Sequence, residues 1–180
     1  LVELTEAVAG TGFRAFQASC IKGIRVPGAG DMGRARLDRL TDQAKQAGAA
    51  GLVWLRMEGD TLSSPILKFL SEDDQQALRK ALGAEAGDLL LIVAGERRTV
   101  DHVLGILRLE LGRPPVNEGG LQLVWVTEFP LFEGLDGEGR PIPAHHPFTM
   151  PHPEDLDRLD AEPLSVRSQA YDLVLNGWEL

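Results

Sequence analysis

Two short stretches hold most of the side chains in this 180-residue chain that could do chemistry. Ala144-His145-His146-Pro147-Phe148-Thr149 brings two imidazoles, and the run from Tyr171 to Leu180 brings two carboxylates, Asp172 and Glu179, either side of Asn176-Gly177. Asn-Gly between alternating apolar residues is the strongest short hairpin signal, because both turn positions need positive φ. With that two-residue turn, Leu175 lies opposite Trp178, Val174 opposite Glu179 and Leu173 opposite Leu180. Tyr171, Leu173, Leu175, Trp178 and Leu180 then share a face suited to a core, while Asp172, Val174 and Glu179 share the other. The two carboxylates become diagonal neighbours, roughly 7–8 Å apart at the backbone. They repel one another unless the face is well solvated or a cation sits between them. Hard oxygen ligands of this kind suit Mg²⁺ carrying a nucleotide's phosphates. Spacing alone leaves a solvated face with two unrelated acids equally open.

His145, His146 and the nearby His152 raise the question of zinc. Adjacent residues in extended chain point to opposite sides, and metal spacing usually needs more separation. A more economical arrangement has one imidazole facing a pocket and hydrogen-bonding a polar ligand while the other satisfies the structure; a purely structural pair stays open. A third pattern is Gly28-Ala29-Gly30-Asp31-Met32-Gly33, with Glu58 some way beyond. It has the form of a dinucleotide fingerprint, in which glycines let backbone amides approach a pyrophosphate. The strand before it should then be a nearly continuous apolar run. Gln17, Lys22, Gly23 and Arg25 interrupt it and Pro27 precedes the first glycine, so a turn and helix start is the preferred reading.

The elements that must position these residues fall into two modules. Phe13 to Val26 alternates loosely, as one or two half-buried strands do. Leu37, Leu40, Ala44 and Ala47 recur at helical spacing through Arg34 to Gln46, and Gly48 stands where a left-handed cap ends the helix. Gly51 to Met57 reads as a strand, with Ile66 to Leu70 as its partner beyond a Gly59-Asp60 turn. Ser71 caps a second helix carrying Ala77, Leu78, Ala81 and Leu82. Leu89 to Ala94 is short and apolar enough for a buried strand. Thr99 is the expected cap of a third helix with Val100, Val103, Leu104, Leu107 and Leu111 on one face. Residues 113–120 form the clearest linker. This order predicts an α+β two-layer domain, an antiparallel sheet with helices on one face. After the linker, Leu121 to Phe129 is apolar on both faces and expected to be central in its sheet. Gly134 to Arg140 suits a hairpin loop, and Pro141 and Pro143 point to an edge.

The net charge of −9 argues against holding nucleic acid by bulk electrostatics, which needs clustered Lys and Arg. Cys20 is the only cysteine, so no internal disulfide forms and a reducing cytoplasm is the simplest compartment. No window approaches the ~18 apolar residues of a membrane span. The chain starts at Leu1 without a methionine and stops at Leu180 directly after an apolar run, so it is expected to be a piece of a longer one.

Three ordered motifs carry a family resemblance: Leu123-Val124-Trp125-Val126-Thr127-Glu128-Phe129-Pro130-Leu131-Phe132-Glu133, then Ala144 to Thr149, then Ala170 to Glu179. Together they resemble the bacterial type of aspartyl-tRNA synthetase, class II, over the stretch holding the inserted GAD domain and the return into the catalytic core. Ala49 to Trp54, Pro65 to Leu70 and Gly87 to Gly95 are similar as well, so the resemblance spans essentially the whole chain. It implies residues 1–12 as the end of a preceding core segment, 13–115 as the GAD-like insertion domain, and 116–180 as strands of a class II antiparallel core. It implies an ATP-dependent ligase that forms aspartyl-adenylate and charges tRNA, with L-aspartate, ATP and tRNA as partners. A cytoplasmic homodimer is expected, and the 180-residue piece alone is expected to be inactive. By this resemblance His145 and His146 line the aspartate pocket, Glu179 belongs to the ATP site, and Asp172 joins Glu179 around Mg²⁺; no protein nucleophile is implied. The alternative is a non-catalytic GAD-type interaction module of a tRNA-dependent amidotransferase-like protein. It accounts for the first module but not for the His-His-Pro-Phe-Thr and Asn-Gly-Trp-Glu segments.

Overall fold

A computed structural model describes residues 1–112 and 120–180 of the chain. The chain divides into two compact units, Leu1–Val116 and Asn117–Leu180.

In the first unit the elements run β1 (Val2–Glu3), β2 (Cys20–Val26), α1 (Arg34–Gln46), β3 (Val53–Glu58), β4 (Thr61–Ser63), α2 (Glu72–Leu82), β5 (Leu89–Gly95) and α3 (Arg97–Leu111). The strands form one sheet in the order β1-β2-β5-β3-β4, every neighbouring pair antiparallel. The expected α+β class and antiparallel sheet are what the structure has. β5 lies in the middle because Leu89 to Val93 is apolar at every position, and all five side chains are buried. Each is worth roughly 1.5–3 kcal/mol buried rather than exposed, so this run decides the sheet's order. Alternation sends Leu89, Leu91 and Val93 to one face, against Leu37, Leu40 and Ala44 of α1 and Val100, Val103, Leu104 and Leu107 of α3. Leu90 and Ile92 face the other way, onto Leu78 and Leu82 of α2 with Leu4, Val8 and Phe16. Helices therefore cover both faces, not one: a strand apolar at consecutive positions needs cover on both sides. Residues 1–12, assigned from sequence to a preceding segment, supply β1 and bury Leu4 and Val8 here.

The helix ends follow local chemistry. Ser71 and Asp74 form a reciprocal capping box at the start of α2, with Glu72, Asp73 and Asp74 in its first turn, and Gly83 closes it at φ 58°. α3 begins earlier than expected, with Glu96 at the cap position and Thr99 already inside the helix. Two more expectations are corrected. The partner of β3 is β4, with Met57 opposite Leu62 and Glu58 opposite Thr61, because Gly59-Asp60 turns the chain at once; Ile66 to Leu70 instead holds a 3₁₀ turn at Leu67–Phe69. Phe13 to Val26 holds a 3₁₀ turn at Arg14–Phe16 before β2. The expected linker lies outside the described residues except for Gly120.

The second unit contains β6 (Leu123–Thr127), β7 (Phe132–Leu135), β8 (Pro141–Pro143), β9 (Tyr171–Leu175) and β10 (Trp178–Glu179). β10, β9 and β6 make an antiparallel sheet in that order, and β7 and β8 a separate two-stranded ribbon closed by Asp136, which accepts from the Glu138 and Arg140 amides. β9 is the central strand. β6, expected there, is an edge strand that among the described residues pairs with β9 alone, and its residues are all exposed. The face expected to form a core is likewise open: Tyr171 is 67% exposed and Trp178 70%.

Candidate active site

The β9–β10 turn forms as the Asn-Gly pair dictates, with Asn176 at φ 48° and Gly177 at φ 84°. Leu175 faces Trp178, Val174 faces Glu179, and the Leu180 amide donates to the Leu173 carbonyl. Asn176 does a second job: its Oδ1 accepts from the Gln122 amide at 2.8 Å and its own amide donates to the Gln122 carbonyl, fastening the turn to the chain entering β6. Across β9, Val126 faces Asp172 and Val124 faces Val174. Side chains opposite one another in an antiparallel pair share a face. Asp172 and Glu179 therefore stand on one face with Val124, Val126 and Val174, two carboxylates on an apolar floor. The register makes them diagonal neighbours, as the turn geometry requires.

The histidine segment follows β8, where the Ala144 amide donates to the Leu131 carbonyl. The structure gives the two imidazoles different surroundings. His145 meets the ring of Phe129 edge-on, centroids 5.0 Å apart. His146 folds back on its own backbone: Nδ1 accepts from the Phe148 amide at 3.2 Å, leaving Nε2 as the free nitrogen. Both are exposed. His152 is a cap, its Nδ1 accepting from the Glu154 amide at the start of the turn Pro153–Arg158.

Among the described residues, no group of three or more His, Cys, Asp and Glu side chains is placed to hold a metal ion. Mg²⁺ in a nucleotide site takes one or two carboxylates and completes its shell with phosphate and water. The Asp172 and Glu179 pair fits that donor set, and zinc held by the three histidines does not.

A group that sequence spacing does not reveal lies beside these segments. The Asp155 carboxylate is wholly buried and accepts from the Arg167 amide (2.9 Å), Arg167 Nε (2.8 Å), Arg167 Nη2 (3.0 Å) and Arg158. The Arg167 guanidinium and amide, with help from Arg158, hold this carboxyl far below the usual carboxylate range against the opposing effect of burial. Arg167 in turn is pushed up by Asp155 and Glu154. Its Nη1 donates to Glu128 (3.1 Å) and Nη2 to Glu154 (3.0 Å). Nothing in a lone Arg among scattered acids signals this arrangement; only the fold brings them together.

The Gly28–Gly33 pattern is absorbed by the first unit. The Gly28 amide donates to the Asp88 carboxylate at 3.1 Å, and Gly30 packs against Gly87. The strand before it belongs to an antiparallel sheet, which excludes the parallel dinucleotide fold.

Comparison with known families places the first unit directly. The GAD domain matches residues 14–104, just over half of the chain. The chain belongs to the GAD domain family. Similarity to individual proteins extends beyond the GAD domain through the carboxylate hairpin to the last residue. The chain is 46% identical, along all of its length, to the aspartate–tRNA(Asp/Asn) ligase of Anoxybacillus flavithermus (strain DSM 21510 / WK1), of which it covers 32%. It is equally 46% identical to the enzyme of the same name from Salinibacter ruber (strain DSM 13855 / M31), covering 31%. It is 45% identical to the aspartate–tRNA ligase of Geobacillus kaustophilus (strain HTA426), covering 32%. The chain thus spans about a third of the length of the curated relatives it matches.

Proposed function

We propose that this chain is the GAD-containing segment of a class II aspartate–tRNA ligase, a cytoplasmic homodimer that activates L-aspartate with ATP and transfers it to tRNA. In this reading residues 13–115 are the inserted domain and 116–180 the return into the catalytic core. The observation that carries it is the similarity along the whole chain, through the GAD domain and both polar segments, to proteins bearing that name. An interaction module built on the GAD domain alone leaves residues 117–180 without a purpose.

His145 contacts aspartate, with His146 stiffening the same wall through its bond to the Phe148 amide. Glu179 belongs to the ATP site and, with Asp172, would hold Mg²⁺ there. When bound, the cation offsets charge on the departing pyrophosphate. The protein's own contribution is placement: the two carboxylates are held at fixed register by the Asn176-Gly177 turn, on one face of the sheet with Val124, Val126 and Val174. No side-chain nucleophile takes part, since the aspartate carboxylate itself attacks the α-phosphate and pyrophosphate leaves.

The test is aspartate-dependent ATP–pyrophosphate exchange by the complete protein, wild type beside Glu179→Ala and His145→Ala. Both variants are expected to lose most of the rate, the histidine change mainly through KM for aspartate. A wild type silent with aspartate overturns the reading; unimpaired variants keep the enzyme but move its site.

A further inference from the structure

We propose that Arg167, seated on the buried Asp155, is a positioning residue that locks the two segments bearing Phe129 and His145 against the chain leading into β9. The claim rests on the aspartate-activation reading above, with Arg167 acting through His145.

A carboxylate buried as completely as Asp155 needs several donors to remain there. Arg167 supplies three and still has guanidinium hydrogens for Glu128 and Glu154. Its planar fork thus ties together three acids from two separate segments, which a lysine ammonium cannot reproduce. The backbone at the same place is laced on both sides. The Ser168 amide donates to the Phe129 carbonyl at 2.6 Å and the Leu131 amide to Val166 at 2.9 Å. On the other side the His152 amide donates to Arg167 at 2.7 Å and Gln169 to Met150 at 2.9 Å. The Arg167 strand therefore runs between the segment entering β7 and the segment leaving the histidines, five residues before Asp172.

Glu128 shows what the guanidinium holds. It sits at φ 60°, a left-handed conformation that strains a residue other than glycine. Its carboxylate, fastened to Arg167, secures that bend, and the next residue is Phe129, whose ring meets His145. Arg167 reaches the histidine through two intermediates, with no substrate contact of its own.

The complete protein is assayed for pyrophosphate exchange with Arg167→Lys and Glu128→Gln, each alone and combined with His145→Ala. The ¹³C-labelled imidazole resonance of His145 is followed in parallel. Arg167→Lys is expected to raise KM for aspartate about tenfold and leave KM for ATP within about twofold. Both variants are expected to displace the His145 resonance and to add nothing further once His145 is alanine. Losses that persist in the His145→Ala background overturn the proposal. So do kcat and both KM values deteriorating together in step with the melting temperature, and so does an unmoved imidazole resonance. Glu128→Gln leaves Asp155 fully bonded and keeps the test open if Arg167→Lys does not fold. A wild type without aspartate-dependent exchange overturns the functional reading, while the His145 resonance still decides the positioning claim.

Discussion

The Gly30 amide donates to the Gly87 carbonyl at 2.7 Å, an approach that leaves no room for a side chain. A Cβ on Gly30 would lie 2.8 Å from that oxygen and 3.0 Å from its carbon, both backbone atoms that cannot swing away. Gly30→Ala is expected to destabilise the fold by about 1–3 kcal/mol. The check is a fall in the urea midpoint at unchanged slope with no nucleotide present; an unchanged midpoint would mean the backbone around Gly87 yields to a side chain.

Acid stability should report on Asp88. Burial pushes its carboxyl up, but the Glu85 and Gly28 amides and the Arg25 guanidinium outweigh that and hold it below the ordinary range. A group depressed in the folded state contributes stability above its unfolded value of about 3.9, and loses it as pH falls through the folded value. Asp88→Asn should therefore be less stable than wild type near pH 7, with the gap narrowing below about pH 4. Urea midpoints across that range settle it, and a gap that widens in acid would mean the sign is wrong.

Gly177 holds its turn at φ 84° with no neighbour within 4 Å of an added Cβ, so only backbone strain opposes a side chain there. Gly177→Ala is expected to cost about 1 kcal/mol. It should raise KM for ATP more than KM for aspartate, because the turn sets the register of Glu179 and not that of His145. Equal effects on both substrates would count against that division.

Removing one carboxylate from the β9–β10 pair should change the demand for cation. Asp172→Asn is expected to shift the Mg²⁺ dependence of exchange to about tenfold higher concentration, on the scale of losing one ligand interaction. Chelation should abolish the wild-type rate. An unshifted Mg²⁺ curve would take Asp172 out of the site.

What the sequence made legible was whatever local chemistry dictates. The Asn176-Gly177 pair fixed the hairpin register, Ser71 marked the start of α2, and the apolar run from Leu89 declared a buried strand. Where the chain had to choose among partners, spacing was mute. β6 looked central because it is apolar on both faces, yet pairing is settled by what lies beside a strand. Helix cover on the second face of the first sheet required knowing where α2 returns. Arg167 and Asp155 are twelve residues apart in a stretch rich in acids, and only the folded backbone shows which acid is buried.

The open sheet of the second unit carries a practical cost for anyone handling residues 1–180 by themselves. Leu123-Val124-Trp125-Val126-Thr127 is uncharged, free of proline and rich in β-branched and aromatic side chains, and one of its edges offers unused amide and carbonyl groups among the described residues. Such an edge is a template for a neighbouring molecule's strand. Aggregation of the isolated piece is therefore expected to rise with its concentration, and Trp125→Lys would be the first change to try in keeping it dispersed.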